Sequence, residues 1–163
     1  MADLAGTRHA LRKLPGHMHF FNFWASWCEP CRREIPLLNA LQSAHGAEGL
    51  QVVGIAVDTL ANTKDFLKVT PLHYTVLVGE EDGAEAAEKF GMELGLPFTV
   101  FADSRNRIVA IKLGELHRDE ADAILAQMRN LETGKTSLEL ARSAISEALR
   151  TLGAERSKQS PPS

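Results

Sequence analysis

Residues 18–38 read MHFFNFWASWCEPCRREIPLL. The stretch opens on a compact apolar run, Met18 to Trp24, with four aromatic side chains and the pair Pro15-Gly16 before it. That composition reads as a buried strand. From Glu29 onward the pattern becomes helical: Ile35, Leu38, Leu41 and Gln42 recur at helical spacing until Gly46, and Pro36 inside the run removes one backbone donor and should kink the helix. The only two cysteines of the chain, Cys28 and Cys31, stand at the handover. Cys28 therefore lies at or near a helix N-terminus, where unpaired N–H groups and the helix dipole favour negative charge. A thiolate is such a charge, so its pKa should fall below the free value of ~8.5. Cys31, one turn on, points back and can attack a mixed disulfide held on Cys28. Pro30 has no N–H to lose in the first turn and stiffens the ring between the cysteines.

Two other readings of the pair are weaker. Two inert core thiols would not need a Cys-x-x-Cys spacing at a strand–helix junction, which is a redox signature. A metal clip could recruit His17 and His19, but zinc wants four ligands and there is no second cysteine pair. His19 to Trp24 also spans roughly 16 Å of strand. The two histidines read instead as solvent-exposed residues at the strand entry.

Working outward, LQVVGIAV (50–57) is a second buried strand and LHYTVLVG (72–79) a third. NTKDFLKV (62–69) is a short helix capped by Asn62, and DGAEAAEKFG (82–91) another, with Asp82 and Glu85 as a cap and Gly91 as a stop. Residues 97–114 form a hairpin around the polar turn 103–106. RDEADAILAQMRNLETG (118–134) is a helix with Ala121, Ile124, Leu125 and Met128 on one face. The order β-α-β-α-β-α-β-β-α implies a mixed, largely parallel sheet flanked by helices. Residues 135–153 add an amphipathic C-terminal helix with a capping box at Thr136 and Glu139, and the polar residues 154–163 read as a disordered tail. The leucine and alanine stripe of that helix packs on the domain by default, with self-association or partner binding as alternatives.

Bulk properties narrow the function. The chain has 163 residues, 44% of them hydrophobic and 24% charged, with a formal net charge of -3. No basic field points to nucleic acid, and no apolar run reaches the roughly 18–20 residues of a membrane span. The first twenty residues lack the apolar stretch of a signal peptide. The expectation is a cytoplasmic protein or one whose export segment or anchor precedes this stretch. Glu80, Glu81, Asp82, Asp119, Glu120 and Asp122 read as solvated charges. Met18, Met92 and Met128 read as core fillers, and His73 as a strand edge.

FFNFWASWCEPCRREIPLLNAL, with GLPFTVF (95–101) later, resembles the thioredoxin superfamily, and more narrowly its TlpA/ResA-like branch of periplasmic or membrane-anchored thiol–disulfide oxidoreductases. The likeness covers about residues 3 to 131 and includes a short hairpin, Asp3 to Leu14, before the first core strand. It implies a thioredoxin-like α/β domain over residues 1–134, with a four- or five-stranded sheet and the C-terminal helix as an addition. It implies that Cys28 is the exposed attacking thiol and Cys31 the buried resolving thiol. Trp27 would pack beside the disulfide and shield it, and Glu29 and Pro30 would tune its potential toward reduction. Pro97 would be a cis-proline facing the disulfide, with the Leu96 backbone offered to an extended substrate segment. From the residues alone, LGLPF is only a turn before a strand. Asn22 stands where thioredoxin itself has a buried aspartate. Some ResA-like members carry a buried glutamate just after the second core strand; DTLANT (58–63) has none, and Asp58 is the nearest candidate proton acceptor, though it also reads as an ordinary turn aspartate.

The resulting expectation is a protein-disulfide oxidoreductase that needs no cofactor beyond the Cys28–Cys31 disulfide. By resemblance it would reduce oxidised cysteine pairs in periplasmic proteins of cytochrome c or copper-site maturation, and a membrane thiol transporter would re-reduce it. The alternatives are a thiol oxidant of the same fold, a soft-metal module holding copper on the two cysteines, and a cytoplasmic general reductase.

Overall fold

The structure, a computed structural model, describes residues 1–80, 84, 85, 88, 89 and 95–159. The apolar run that opens the reading is strand β2 (Met18–Trp24), buried at every residue. It is covered on both faces and paired on both edges, which is why it shows no polar alternation. It runs parallel to β3 (Leu50–Ala56), which runs parallel to β4 (Thr75–Val78). On its other edge it is antiparallel to β5 (Phe98–Ala102), which forms a hairpin with β6 (Ile108–Leu113). A two-residue strand, β1 (Ala2–Asp3), closes the β4 edge and gives the order β1-β4-β3-β2-β5-β6. This sixth strand exceeds the four or five expected and belongs to the small N-terminal hairpin, which a bridge between Ala2 and Arg8 holds.

Alternation along the strands builds two cores. Phe21, Phe23, Val53, Ile55, Leu77, Phe98, Val100 and Ala102 fill one side of the sheet. Trp24, Ala56 and Val76 belong to a second cluster, which also holds both cysteines. The β5–β6 turn is tied by the buried Asp103 carboxylate, which accepts from the N–H groups of Arg105 and Arg107 and from the Arg107 guanidinium. Asn106 takes the left-handed conformation there, at φ 60°.

Helix α1 (Glu29–His45) contains Pro36 and ends at Gly46, as its pattern predicts. Helix α2 (Leu60–Val69) starts earlier than predicted: Thr59 is the cap, its hydroxyl accepting from the Asn62 N–H at 3.1 Å, while the Asn62 amide donates to Asp58. Strand β4 begins three residues later than predicted, because the Asn39 side chain takes the backbone before it, accepting from the His73 N–H and donating to the Pro71 carbonyl. Most of the predicted helix 82–91, with its cap Asp82, lies outside the described residues, as do Glu81 and Met92; Ala84, Glu85, Glu88 and Lys89 are helical.

The chain divides into two compact units, Met1–Leu116 and His117–Ser163, so the helix at 118–132, placed with the domain over 1–134 in the sequence reading, falls in the second. In that unit α3 (Arg118–Glu132) packs on α4 (Leu138–Gln159). Glu120 is buried rather than solvated, because its carboxylate reaches back to the His117 N–H in a capping box. The cap of α4 is Ser137, not Thr136, since the Ser137 hydroxyl accepts from the Leu140 N–H. Residues 154–159, expected to be disordered, continue α4. Gly153 costs a helix only about 1 kcal/mol relative to alanine, and Arg156 beyond it pairs with Asp119 of α3 at 2.7 Å.

His19 also departs from expectation. It is buried, with Nε2 3.0 Å from the Pro15 carbonyl oxygen and its ring stacked on Phe21. His17 is exposed, as predicted.

Candidate active site

Strand β2 ends at Trp24, three residues make the loop Ala25–Trp27, and Cys28 is the N-cap of α1. Its sulfur accepts from the Cys31 N–H at 3.3 Å, so one of the orphan donors of the helix start already points at it. Pro30 sits in the first turn, where no N–H is missed. Cys28 and Cys31 form a disulfide, with their Cα atoms 5.3 Å apart.

Cys28 is 5% exposed and Cys31 1%. The expectation of an exposed attacking thiol needs correcting to that extent. In the disulfide its sulfur faces Cys31, and both cysteines are packed with Trp24, Ala25, Ala56 and Val76. Trp27 is the open group, at 69%, which is not the covering position the resemblance implies. Glu29, two residues on, is exposed and pairs with Arg32 at 3.0 Å. The Leu96–Pro97 peptide bond is cis, Pro97 is buried, and the half-buried Leu96 side chain packs against the cysteine-containing cluster.

Asp58 lies just beyond β3 and ties down the loop before Cys28. Its carboxylate accepts from the Ser26 hydroxyl, from the Ser26 N–H at 3.0 Å, from the Asn62 amide and from the Thr59 N–H. Partial burial pulls its pKa up, but these bonds outweigh burial and hold it below the usual carboxylate range. Such a group stays ionised at neutral pH, a loop anchor rather than the proton acceptor suggested by the sequence.

The acid that does titrate near neutrality was not singled out from the sequence. Glu34, one turn beyond Cys31 on α1, is 2% exposed. Its Oε1 accepts from the Asn22 amide, which also donates to Thr99, and its Oε2 accepts from the Leu116 N–H at 2.9 Å. Burial pushes its pKa up to about 7, against the pull of these two hydrogen bonds; Glu115 adds to the rise and Lys112 opposes it. The one sequence signal was positional: Glu34 stands on the stripe of α1 that carries Cys31, Ile35, Leu38 and Leu41. Among the described residues, no group of three or more His, Cys, Asp or Glu is arranged to hold a metal ion, and no helix is long and apolar enough to cross a membrane.

Two sulfurs that bond to each other at a helix N-terminus, with a buried acid one turn away, are built to make and break disulfides, and the chain is a thioredoxin-like thiol–disulfide oxidoreductase. The comparisons with known proteins agree. The family described as Redoxin matches residues 1–126, and the chain belongs to it. It is 26% identical over 129 residues to the thiol-disulfide oxidoreductase ResA of Bacillus thuringiensis subsp. konkukian, covering 78% of this chain and 73% of that one. It is 27% identical over 121 residues to the ResA of Geobacillus thermodenitrificans, covering 74% and 68%. Among solved structures, a thioredoxin-related protein from Neisseria meningitidis serogroup B superposes with a TM-score of 0.63 at 27% identity, over 87% of this chain and 98% of that one. A thiol:disulfide interchange protein from Chlorobium tepidum TLS superposes at 0.62 and 27%, over 71% and 82%. These relatives place the chain in the TlpA/ResA-like branch of the thioredoxin superfamily.

Proposed function

We propose that the protein works as a reductant of protein disulfides outside the cytoplasm, with substrates among proteins of cytochrome c or copper-site maturation and a membrane thiol-transfer protein as its own electron donor. The names of the ResA and thiol:disulfide interchange relatives support the reaction class. The observation that carries the reading is the pairing of a helix-capping Cys28 with a buried Glu34 one turn from Cys31.

In the reduced protein, Cys28 is held as a thiolate by the helix start. It attacks one sulfur of a substrate disulfide. A bond forms between Cys28 Sγ and that sulfur, the substrate S–S bond breaks, and the other substrate sulfur leaves as a thiolate and takes a proton from solvent. Cys31 then gives its proton to the Glu34 carboxylate and attacks Cys28 Sγ. The mixed disulfide breaks, the substrate leaves with both cysteines reduced, and the protein is left with the Cys28–Cys31 disulfide. Two electrons have moved, and a bound cofactor is not required for either step. The exposed Trp27 and the Leu96 backbone beside cis-Pro97 offer an apolar platform and an edge for an extended segment of substrate. Glu29 and Pro30 tune the potential.

A redox titration against glutathione and dithiothreitol tests the direction. A midpoint near ~-270 mV supports the reductant, and one near ~-120 mV would make the protein an oxidant. A Cys31→Ser variant should trap the substrate on Cys28 as a mixed disulfide. Stoichiometric, tight copper on the anaerobically reduced protein would instead identify a metal-binding module.

A further inference from the structure

Two polar side chains meet where the pattern of the sheet calls for apolar ones. Asn22 of β2 and Thr99 of β5 stand opposite each other, and the pairs on either side of them are Phe21 with Val100 and Phe23 with Phe98. Asn22 is 1% exposed and Thr99 is fully buried. Polar groups at that depth cost free energy unless each donor finds an acceptor. The Asn22 amide nitrogen meets this with both of its hydrogens. It donates to the Thr99 hydroxyl at 3.1 Å and to Glu34 Oε1.

The place of Thr99 in the chain gives that bond a second meaning. Strand β5 begins directly after cis-Pro97, and Thr99 is its second residue. The Pro97 carbonyl accepts from the Gly114 N–H at 2.9 Å, and two residues on, the Leu116 N–H donates to Glu34 Oε2. Both carboxyl oxygens are therefore held from the two sides of the hairpin that starts at cis-Pro97, one through Leu116 and the other through Asn22 and Thr99. The other titratable groups around Glu34 are Cys31 one turn before it, Glu115 paired with Arg33 at 2.7 Å, Tyr74, and Lys112, which stands in register with Thr99 across the hairpin.

We propose that Thr99 is a positioning residue for the exchange reaction: its hydroxyl holds the Asn22 amide with the nitrogen turned to Glu34, so that the carboxylate is kept ready for the Cys31 proton. This rests on Glu34 being that acceptor. The physical reason lies in the two ends of an amide. An N–H aimed at a carboxyl favours its charged form, and a C=O aimed at it favours the protonated form, whose O–H it accepts. Without the Thr99 oxygen, an amide that keeps its nitrogen at Glu34 leaves one N–H buried and unpaired. Turning the carbonyl to Glu34 relieves that loss and suits only the protonated acid. Removing the Thr99 hydroxyl should therefore make Glu34 harder to ionise.

The test is Thr99→Val in the full chain, read by carbon-13 NMR of the Glu34 carboxyl and by the pH profile of iodoacetamide alkylation in the reduced protein. The Glu34 midpoint should move to higher pH by about half a unit or more, roughly a threefold change in proton affinity. Thr99→Ser, which keeps the hydroxyl and loses the methyl, should stay at the wild-type midpoint. A merely structural role would rank the two the other way, since valine keeps the volume and serine leaves a void. Thr99→Ala gives a second hydroxyl-free variant with an upward shift should Thr99→Val fold poorly. In an Asn22→Leu background, Thr99→Val should shift the midpoint no further, whereas an effect exerted through Lys112 would persist. A midpoint that ignores loss of the hydroxyl, that moves as far in Thr99→Ser, or that still responds to Thr99→Val without Asn22 overturns the proposal and leaves the role of Glu34 intact. An alkylation profile identical in wild type and Glu34→Gln overturns the role of Glu34 and the proposal with it.

Discussion

Asp58 and Glu34 are both carboxylic acids, and their surroundings drive them in opposite directions. Asp58 is half-exposed and is met by four donors, so it is held as an anion; Glu34 is buried with two, and burial prevails. The linkage for Asp58 follows from its lowered pKa. Its stabilisation is present above the unfolded value of 3.8 and is lost as pH falls through the lowered folded value. Asp58→Asn should therefore cost about 1 kcal/mol at pH 7, allowing for screening at a site this open, and progressively less as pH falls below 3.8. Urea unfolding followed across that range measures this. The alkylation profile of the reduced variant should keep the wild-type midpoint, because an anchor for Ser26 does not exchange protons with sulfur; a displaced midpoint would restore Asp58 as the acceptor.

At the scale of elements, local signals decide α2 only in part. Thr59 and Asn62 are both good caps, and either could open the helix. The choice is made by Asp58, which takes the Asn62 amide and leaves the Asn62 N–H to the Thr59 hydroxyl. Thr59→Ala should lower stability by about 1 kcal/mol and speed hydrogen exchange over residues 60–69, whereas Asn62→Ala should cost less; the reverse order would mean that the helix starts at 62 after all. The same division runs through the chain. Strands β2, β3 and the β5–β6 hairpin, and helices α1 and α3, were legible because each is announced by its own apolar period and its own turn residues. The start of β4 was not, because Asn39, 34 residues before His73, claims that backbone. The end of α4 was not, because the polar residues beyond Gly153 read as a tail until Arg156 is seen to pair with Asp119. The Cys-x-x-Cys pair was legible because its chemistry is local. Glu34 was not, because a glutamate on a helix reads as solvated until Asn22 and Leu116 are seen to close around it.

Glu34 also acts at the scale of the first unit, because its one carboxyl joins β2, α1 and the segment that follows β6. A group placed to titrate during turnover is a group whose burial is paid for in stability whenever it is charged. Its folded pKa of about 7 lies above the ordinary 4.5. The sign then runs opposite to that of Asp58: its favourable contribution is complete below about pH 4.5 and is lost as pH rises through 7. Over that window the loss amounts to at most roughly 3 kcal/mol. Glu34→Gln keeps the shape and an acceptor for the Leu116 N–H but cannot ionise. The stability of this variant relative to wild type, followed by urea unfolding of the oxidised protein, should therefore rise steadily between pH 4.5 and 8, while its thiol exchange slows. The oxidised form is the right one for the measurement, since its disulfide sulfurs do not titrate and Glu34 alone sets the difference. A difference flat across that range would mean that the carboxyl ionises as freely as one in water, and a freely ionised acid could not wait for the Cys31 proton.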